Sequence, residues 1–276
     1  MKTERKNWGE AHEGDVERFY EAGIGHDLDW HGGYRNFGWW DEGQTDYLVA
    51  ADRLVLEMGR RLGLNAESTL LDVACGGAPQ DVLLHREFGT RIEGVDVTFA
   101  QVVQGQKRVA DADIGEHVHI QHGTATNLPF DDERFTHVLC IEGAQHFDTR
   151  EAFFHQAISV MKPGAVMCLA DFMVLTPAKS AWEKFCVRRA QKLWNVPDAN
   201  VLNEADFRAS LERAGFTDIE FEGVGKHTIP GYYLDQCTPE TIADHKKYKG
   251  RAWRFKMNFT NYFMFKAWEK RLMEYV

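Results

Sequence analysis

The stretch Thr69-Leu70-Leu71-Asp72-Val73-Ala74-Cys75-Gly76-Gly77-Ala78-Pro79 determines how the rest of the chain is interpreted. Residues 69–74 are mostly apolar and predict a buried strand. The small residues 75–78 follow, and they allow a ligand to approach the backbone closely. Pro79 suits the first turn of a helix, whose free N–H groups and positive dipole would face a carboxylate. The segment therefore predicts a ligand site where a strand passes into a helix.

After this unit, strand and helix patterns alternate as far as about residue 172. The predicted strands are apolar along their whole length, which indicates a parallel sheet covered by helices on both faces. The expected fold class is therefore α/β, with a Rossmann-like, mostly parallel sheet. Further strands are predicted at 91–96, 117–121, 136–141 and 165–170, with helices that begin at Pro79 and at about 99–112 and 150–161.

Residues 1–64 are predicted to form an N-terminal helical cap with an aromatic lid segment, Gly32–Trp40, at its centre. An apolar stripe marks the second helix of this cap, because its members recur every three or four residues. Thr45 is the expected N-cap, and Gly63 lies where a helix usually ends. The stripe consists of Leu48, Ala51, Val55, Met58 and Leu62.

Residues 65–276 are predicted to form the main domain. Its last part is expected to supply strands at 218–222 and 272–276, which would complete a sheet of seven strands. A helical cover over the ligand pocket, at about 178–215 and 238–268, is expected before the last strand. The stretch 251–268 holds more aromatic residues than one packing face needs, so part of it is expected to line an apolar substrate pocket.

The composition limits the partners of the chain. Its net charge of −10 comes from 42 acidic and 32 basic residues, whereas a duplex nucleic-acid surface needs clustered Lys and Arg. Five cysteines without a C-x-x-C pair predict reduced thiols and a cytoplasmic protein. No signal peptide is expected from the charged residues 1–10, and no apolar run approaches membrane-spanning length. Formation of a homo-oligomer is left open.

Four segments are expected to meet at one edge of the sheet, because open α/β sheets bind ligands at the carboxyl ends of their strands. Asp72 and its small-residue loop end the first strand, and Asp96 ends the second. Asp96 stands about where a ribose-binding acid belongs relative to the first loop. The segments 123–130 and 142–147 follow the third and fourth strands.

These segments resemble, in order, motifs of the class I S-adenosylmethionine-dependent methyltransferases. Residues 71–77 are similar to the nucleotide loop D-V-G-C-G-x-G, and residues 94–98 are similar to G-x-D-x-S. Residues 123–130 resemble G-D-A-x-x-L-P-F, residues 142–146 resemble the E-x-x-x-H of many small-molecule methyltransferases, and residues 161–165 resemble L-x-P-G-G. The resemblance covers about 70–172, and it is specific because five motifs keep their order.

A weaker resemblance extends upstream. Residues 36–40, Asn-Phe-Gly-Trp-Trp, are similar to the N-F-G-Y-W segment of bacterial natural-product O-methyltransferases. That group includes enzymes that act on macrolide sugars and ansamycins, and it is related to the tocopherol and sterol C-methyltransferases. This resemblance implies a small organic molecule as the methyl acceptor.

The resemblance also implies S-adenosylmethionine as cofactor and S-adenosylhomocysteine as product. Asp72 and the following loop would line the methionine part, and Asp96 would accept hydrogen bonds from both ribose hydroxyls. Residues 124–126 would flank the adenine, and the segment 37–40 would close over the cofactor. The implied cofactor-binding residues are Asp72, Ala74, Gly76, Gly77, Asp96, Val97, Thr124, Ala125, Thr126, Glu142, Phe37 and Trp39.

His146 matches the position that serves as general base in several relatives. Its unperturbed pKa of about 6.5 suits proton removal near neutrality. The alternative is a structural histidine that is hydrogen-bonded near the start of a helix. Glu142 is the second candidate for a catalytic residue.

Three departures from the family pattern stand out. Ala74 and Ala78 replace glycines of the usual loop, so a ligand would approach it less freely. Thr124 stands where an Asp normally holds the adenine amino group, and its hydroxyl would be a weaker acceptor. Gly143 replaces a common Ser.

Two other kinds of site are disfavoured. A nicotinamide enzyme needs G-x-G-x-x-G after the first strand, whereas this loop has the sequence A-C-G-G-A-P. A metal site at His117, His119 and His122 lacks an acid or a cysteine at ligand spacing. These histidines are therefore interpreted as structural.

The preferred function is O-methylation of a hydroxylated, partly apolar small molecule with His146 as base. The close variant is C-methylation of an aromatic ring or an alkene. A different class of function is a methyltransferase-fold protein that keeps the cofactor for structural reasons and catalyses cyclisation or binds a ligand. A protein or RNA methyltransferase is disfavoured, since no basic stripe or RNA-binding appendage is present.

Overall fold

The computed structural model describes residues 5–9, 11–24, 30–248 and 250–276. Five strands pair in parallel in the order β3-β2-β1-β4-β5. The strand order reverses between β1 and β4, and an open parallel sheet binds ligands beside such a reversal. The strands are β1 (Thr69–Val73), β2 (Arg91–Asp96), β3 (Val118–His122), β4 (Phe135–Ile141) and β5 (Met161–Ala170).

Ten α-helices and two short strands complete the described part of the chain. The helices are α1 (His12–Ile24), α2 (Tyr47–Leu62), α3 (Pro79–Phe88), α4 (Phe99–Asp111), α5 (Arg150–Val160), α6 (Ala181–Leu193), α7 (Glu204–Ala214), α8 (Gly225–Gln236), α9 (Pro239–Tyr248) and α10 (Gly250–Glu269). The strands are β6 (Phe172–Val174) and β7 (Met273–Tyr275).

Successive residues of each central strand enter two different cores. Leu70 packs on the face covered by α2 and α3, while Leu71 packs on the face covered by α5 and α7. Both side chains are fully buried. A strand that is covered on both faces shows no apolar–polar alternation, which is why the β1 sequence is almost continuously apolar.

The predicted sheet of seven strands is wrong in its count, because five strands form it. β6 and β7 form a separate antiparallel pair, with Phe172 opposite Tyr275. Residues 218–222, predicted as a strand, form none. Ile219 and Phe221 pack against the core beside α5 and α7. The apolar alternation there reflects side-chain burial without backbone pairing.

The second helix of the N-terminal region begins one residue later than predicted. Asp46, not Thr45, is the N-cap, and its carboxylate accepts the N–H groups of Leu48 and Val49. Leu48, expected on the buried stripe, is 45% exposed. The helix ends as predicted at Gly63, which has φ 68°.

The cover is divided between the two faces of the sheet. α6 and α10 pack together, with the rings of Trp182 and Phe263 5.9 Å apart. α7, expected to belong to this cover, packs on α5 instead and stacks Phe207 on Phe154 at 5.8 Å. No helix was predicted at the position of α8, which contains Pro230. The side chain of Trp253, part of the aromatic stretch, lies outside the described residues.

A buried ion pair fixes the segment between β4 and α5. Arg150 and Asp171 form a bidentate pair, with Nε to Oδ2 at 2.9 Å and Nη2 to Oδ1 at 2.8 Å. Their side chains are only 2% and 1% exposed. Asn200 accepts the N–H of Arg150 and donates to the carbonyl oxygens of Gln145 and Phe147. This network holds the loop that carries His146.

Removal of one member of this pair would leave the other charge buried and unpaired. We expect Arg150→Met to lower the free energy of unfolding by about 3–5 kcal/mol, measured by urea denaturation. The double variant Arg150→Met/Asp171→Leu should recover part of that loss. Arg213→Met is the matched control: its ion pair with Glu151 is exposed and screened by solvent, so its cost should be small beside that of Arg150→Met. Equal losses in the two single variants would contradict a structural role for the Arg150 pair.

Candidate active site

A pocket lies at the carboxyl ends of β1, β2 and β4, and α1 closes one side of it. The structure places most, though not all, of the predicted site residues on its wall. Those on the wall are Ala74, Gly76, Asp96, Val97, Thr124, Ala125, Glu142 and His146. Those that do not line it are Asp72, Gly77, Thr126, Phe37 and Trp39.

The loop after β1 follows a tight path. Ala74, Gly76 and Ala78 all have positive φ, of 65°, 58° and 58°. α3 begins directly after Ala78 without a side-chain cap, so its first N–H groups are available to an anionic ligand. Gln80 stabilises the loop from the protein interior. Its Nε2 donates to the Cys75 carbonyl at 2.8 Å and to Asp72 Oδ2 at 3.1 Å.

Asp72 is buried beneath this loop and does not reach the pocket. It interacts with Asp81 of α3, and burial raises the pKa of both carboxyl groups. Asp72 Oδ1 has no hydrogen-bond partner among the described residues. Asp72 therefore supports the loop from inside the protein, and its contact with the methionine part stays a prediction.

The methyl group of Ala74 explains a second departure from the family pattern. A Cβ atom added to Gly143 would lie 2.4 Å from the Cβ of Ala74, which is far inside contact distance. The side chain that usually follows β4 is therefore excluded by the methyl group present after β1. Ala74 and Gly143 form one packing unit, although 69 positions separate them in the sequence.

This unit predicts a coupled response to substitution. Gly143→Ser should destabilise the protein by about 1–3 kcal/mol, the usual cost of overpacking, and should weaken cofactor binding. Ala74→Gly should restore part of that loss in the double variant, as read from thermal unfolding and calorimetry, while the contact of the added Cβ with Cys140 Sγ at 3.0 Å remains. Ala78→Gly also relieves a positive φ, so it is the control and should not rescue Gly143→Ser. Additive effects of the Ala74 and Gly143 substitutions would contradict direct contact.

Asp96 links two loops at the end of β2. Its Oδ1 accepts the N–H of Thr98 at 2.7 Å, and its Oδ2 accepts the N–H of Gly76 at 3.0 Å. A carboxylate has about four acceptor positions, so both oxygens can accept further donors from the pocket. Burial raises the pKa of this carboxyl group, and the two N–H donors oppose that effect.

α1 contributes residues to the pocket that the sequence motifs did not reveal. Glu13 Oε1 accepts hydrogen bonds from Thr126 at 3.0 Å and from Thr124 at 3.2 Å. His12 Nε2 lies 2.8 Å from the carbonyl oxygen of His146. The amphipathic pattern of α1 indicates a helix, but nothing in it indicates which strand ends it covers.

His146 is buried in a short 3₁₀ helix, Ala144–His146, after β4. Its Nε2 lies 2.9 Å from the hydroxyl of Tyr20 and 3.3 Å from Gln145 Nε2. Its Nδ1 is buried without a hydrogen-bond partner among the described residues. Burial lowers the pKa of His146 to about 4, below the unperturbed value on which the sequence interpretation relied. The imidazole is therefore neutral at physiological pH.

Glu142 connects three distant parts of the chain. Its Oε1 accepts the backbone N–H of Phe37 and the hydroxyl of Tyr275, each at 2.7 Å. Burial raises the pKa of Glu142 to about 8, although both hydrogen bonds lower it. Its carboxyl group is thus protonated at neutral pH and holds the N-terminal segment and β7 in place. These contacts favour a supporting role over removal of the substrate proton.

The raised pKa predicts a pH effect on stability. A carboxyl group whose pKa rises from 4.5 to about 8 on folding stabilises the protein fully below about pH 4.5, and this contribution is lost as pH rises through 8. The free energy of unfolding of the wild type should therefore fall between pH 5 and 8 relative to Glu142→Gln. The amide retains an acceptor oxygen for Phe37 and Tyr275, so it serves as the neutral reference. Parallel pH profiles for the two proteins would assign the titration to another group.

The aromatic segment 37–40 packs into the core. Phe37 is 1% exposed, and its ring lies 4.2 Å from that of Tyr232. The N–H of Trp39 donates to the Ala50 carbonyl, and the N–H of Trp40 donates to the His227 carbonyl. The segment therefore connects α2 with α8. Gly33, Arg35 and Asn36, just before it, line the pocket.

The three histidines around β3 have separate surroundings. His122 is buried and contacts the Lys6 N–H and the Val97 carbonyl. His119 is exposed and lies near Glu93, while His117 stacks on His85. Across the residues that the structure describes, no three His, Cys, Asp or Glu side chains form a candidate metal site.

A second, larger cavity of about 880 Å³ lies beside the pocket, under α6 and α10. Apolar side chains dominate its wall, which includes Phe172, Met173 and Trp182. Gln145 and Trp194 line both this cavity and the first pocket. The two spaces therefore adjoin next to His146.

No helix in the described ranges is both long enough and apolar enough to cross a membrane.

The amino-acid sequence is similar to those of known methyltransferases. Residues 70–164 match the model of a methyltransferase domain. The erythromycin 3''-O-methyltransferase of Saccharopolyspora erythraea is 30% identical over 225 residues, which cover 79% of this chain and 74% of that enzyme. The chain belongs to the S-adenosylmethionine-dependent methyltransferases, as its motifs predicted, and S-adenosylmethionine is its cofactor.

Two solved structures share the fold over almost the whole chain. The geranyl diphosphate C-methyltransferase of Streptomyces coelicolor, solved with Mg²⁺, geranyl diphosphate and S-adenosylhomocysteine, has a TM-score of 0.78 and 16% identity. The match covers 98% of this chain and 97% of that one. The [4+2]-cyclase SpnF has a TM-score of 0.74 and 18% identity over 95% and 94% of the chains. At these identities, the likeness concerns the fold alone.

Proposed function

We propose that this enzyme transfers a methyl group to a hydroxyl of a large, partly apolar small molecule. The observation that carries the proposal is the apolar cavity of about 880 Å³, which adjoins the first pocket at Gln145 and Trp194. Its volume falls in the upper part of the range of small-molecule sites. An acceptor bound there would present its hydroxyl to the region beside His146.

The residues of the first pocket fit the cofactor part by part. Asp96 offers acceptor positions to ribose hydroxyls, and the uncapped start of α3 offers N–H groups to the methionine carboxylate. Ala125 and the backbone at Thr124 would flank the adenine at the β3 end. S-adenosylmethionine supplies an activated methyl group when bound, so the protein must chiefly align the acceptor and exclude water.

His146 is the group proposed to take the proton. The ring is neutral above about pH 4, so Nε2 can accept a proton without prior ionisation of the ring once an acceptor hydroxyl reaches it. Tyr20, whose hydroxyl lies 2.9 Å from Nε2, would orient the ring or yield its place to the acceptor hydroxyl. Burial raises the pKa of Tyr20 well above its usual value, which keeps this hydroxyl protonated.

The curated relative supports a hydroxyl acceptor of this size. The enzyme from Saccharopolyspora erythraea is named for O-methylation of erythromycin at the 3'' position. An acceptor of comparable bulk is consistent with the large apolar cavity under α6 and α10. We therefore place the enzyme in natural-product biosynthesis.

One observation favours a second candidate. A base with a pKa of about 4 is weak for an alcohol, because general bases work best with a pKa near the operating pH. C-methylation of an alkene or an aromatic ring needs less basicity, and the aromatic wall at Phe172 and Trp194 would stabilise a cation. Cyclisation with the cofactor retained remains the corresponding alternative without methyl transfer.

The test uses methyl-labelled S-adenosylmethionine with hydroxylated macrocyclic and terpenoid acceptors, each paired with its deoxy counterpart. We expect the label on oxygen and no transfer to the deoxy compounds. His146→Ala should keep affinity for S-adenosylhomocysteine and lower turnover about 10²–10⁴-fold, while His119→Ala, exposed and outside the pocket, should change neither. The wild-type rate should show no histidine limb between pH 6 and 8. A label on carbon, or conversion of an acceptor without label, would refute O-methylation.

A further inference from the structure

The adenine end of the pocket lacks an acid on the strand that usually supplies one. Thr124 follows β3 where the family pattern has Asp. Its hydroxyl is engaged, because it lies 3.2 Å from Glu13 Oε1 and 3.1 Å from the hydroxyl of Thr126. The strongest hydrogen-bond acceptor at this end is therefore the carboxylate of Glu13, brought there by α1.

Two features set Glu13 apart from the other acids of α1. Asp15 pairs with Arg18, and Glu17 pairs with Arg5, whereas Glu13 has no ion pair among the described residues. Glu13 also lines the pocket directly. Both of its assigned hydrogen bonds go to Oε1, so Oε2 remains available to a donor.

We propose that Glu13 accepts the hydrogen bond of the adenine amino group and thereby selects an adenine base. This inference rests on the cofactor placement proposed above. The β3 end of the pocket is the end farthest along the sheet from β4, where His146 marks the reacting end. A carboxylate accepts from an exocyclic amine, while it repels the oxygen that replaces this amine in hypoxanthine. Thr124 and Thr126 hold the carboxylate in position by donating to it.

The experiment measures binding of S-adenosylhomocysteine and S-inosylhomocysteine by calorimetry. The wild type should prefer the adenine compound by about 10- to 100-fold, the scale of a hydrogen bond to a charged group. Glu13→Gln should reduce this preference to a few-fold, because the amide can donate to the hypoxanthine oxygen. Asp15→Asn, which alters an exposed acid of the same helix, is the matched control and should keep the wild-type preference.

A rescue separates recognition from a structural role of α1. Glu13→Ala should lose affinity for the adenine compound, and Thr124→Asp in that background should restore both affinity and preference, since it places a carboxylate at the same end of the pocket. If Glu13→Ala weakens both compounds equally, and Thr124→Asp restores nothing, Glu13 only anchors the helix and the inference is wrong. If the wild type binds neither compound, the cofactor placement fails as well.

Discussion

The buried carboxyl group of Glu142 is the contact on which the arrangement of the site depends. It lies at the end of β4, and it binds the backbone of Phe37 and the hydroxyl of Tyr275, which are 105 and 133 positions away. Only a buried acceptor can hold two such donors together without competition from water. The N-terminal segment and the last strand are thereby joined at the carboxyl edge of the sheet, where the pocket forms.

The division between cofactor and acceptor follows from this arrangement. Parallel strands bring the loops after β1, β2 and β4 to one edge, which suits a nucleotide-like cofactor. The cavity proposed for the acceptor has a different origin, since it lies between the β6–β7 pair and the helices α6 and α10. The buried pair of Arg150 and Asp171 lies between the two regions and fixes the loop that borders both. One type of sheet can thus serve different acceptors through changes in the later segments.

Residues that are distant in sequence but close in the fold compensate for the departures from the family motifs. The methyl group of Ala74 occupies the room that a side chain at position 143 would need. The missing acid at Thr124 is matched by Glu13, which comes from a helix more than a hundred positions upstream. A motif treats each position separately, whereas packing and hydrogen bonding couple positions that the fold brings together. The same coupling makes the paired substitutions informative.

The sequence by itself determined the strand–loop–helix units, the family and the edge of the sheet at which the site lies. These properties depend on local patterns: apolar runs, small residues at a turn, and acids at strand ends. Only the tertiary structure decided that the sheet has five strands, that Asp72 lies beneath the loop, and that Phe37 packs into the core. The lowered pKa of His146 also depends on the tertiary structure, because the side chains packed around the imidazole remove it from water. The residues that contribute from α1, Glu13 and Tyr20, were beyond sequence reasoning for the same reason, since no local pattern records which distant strand a helix will cover.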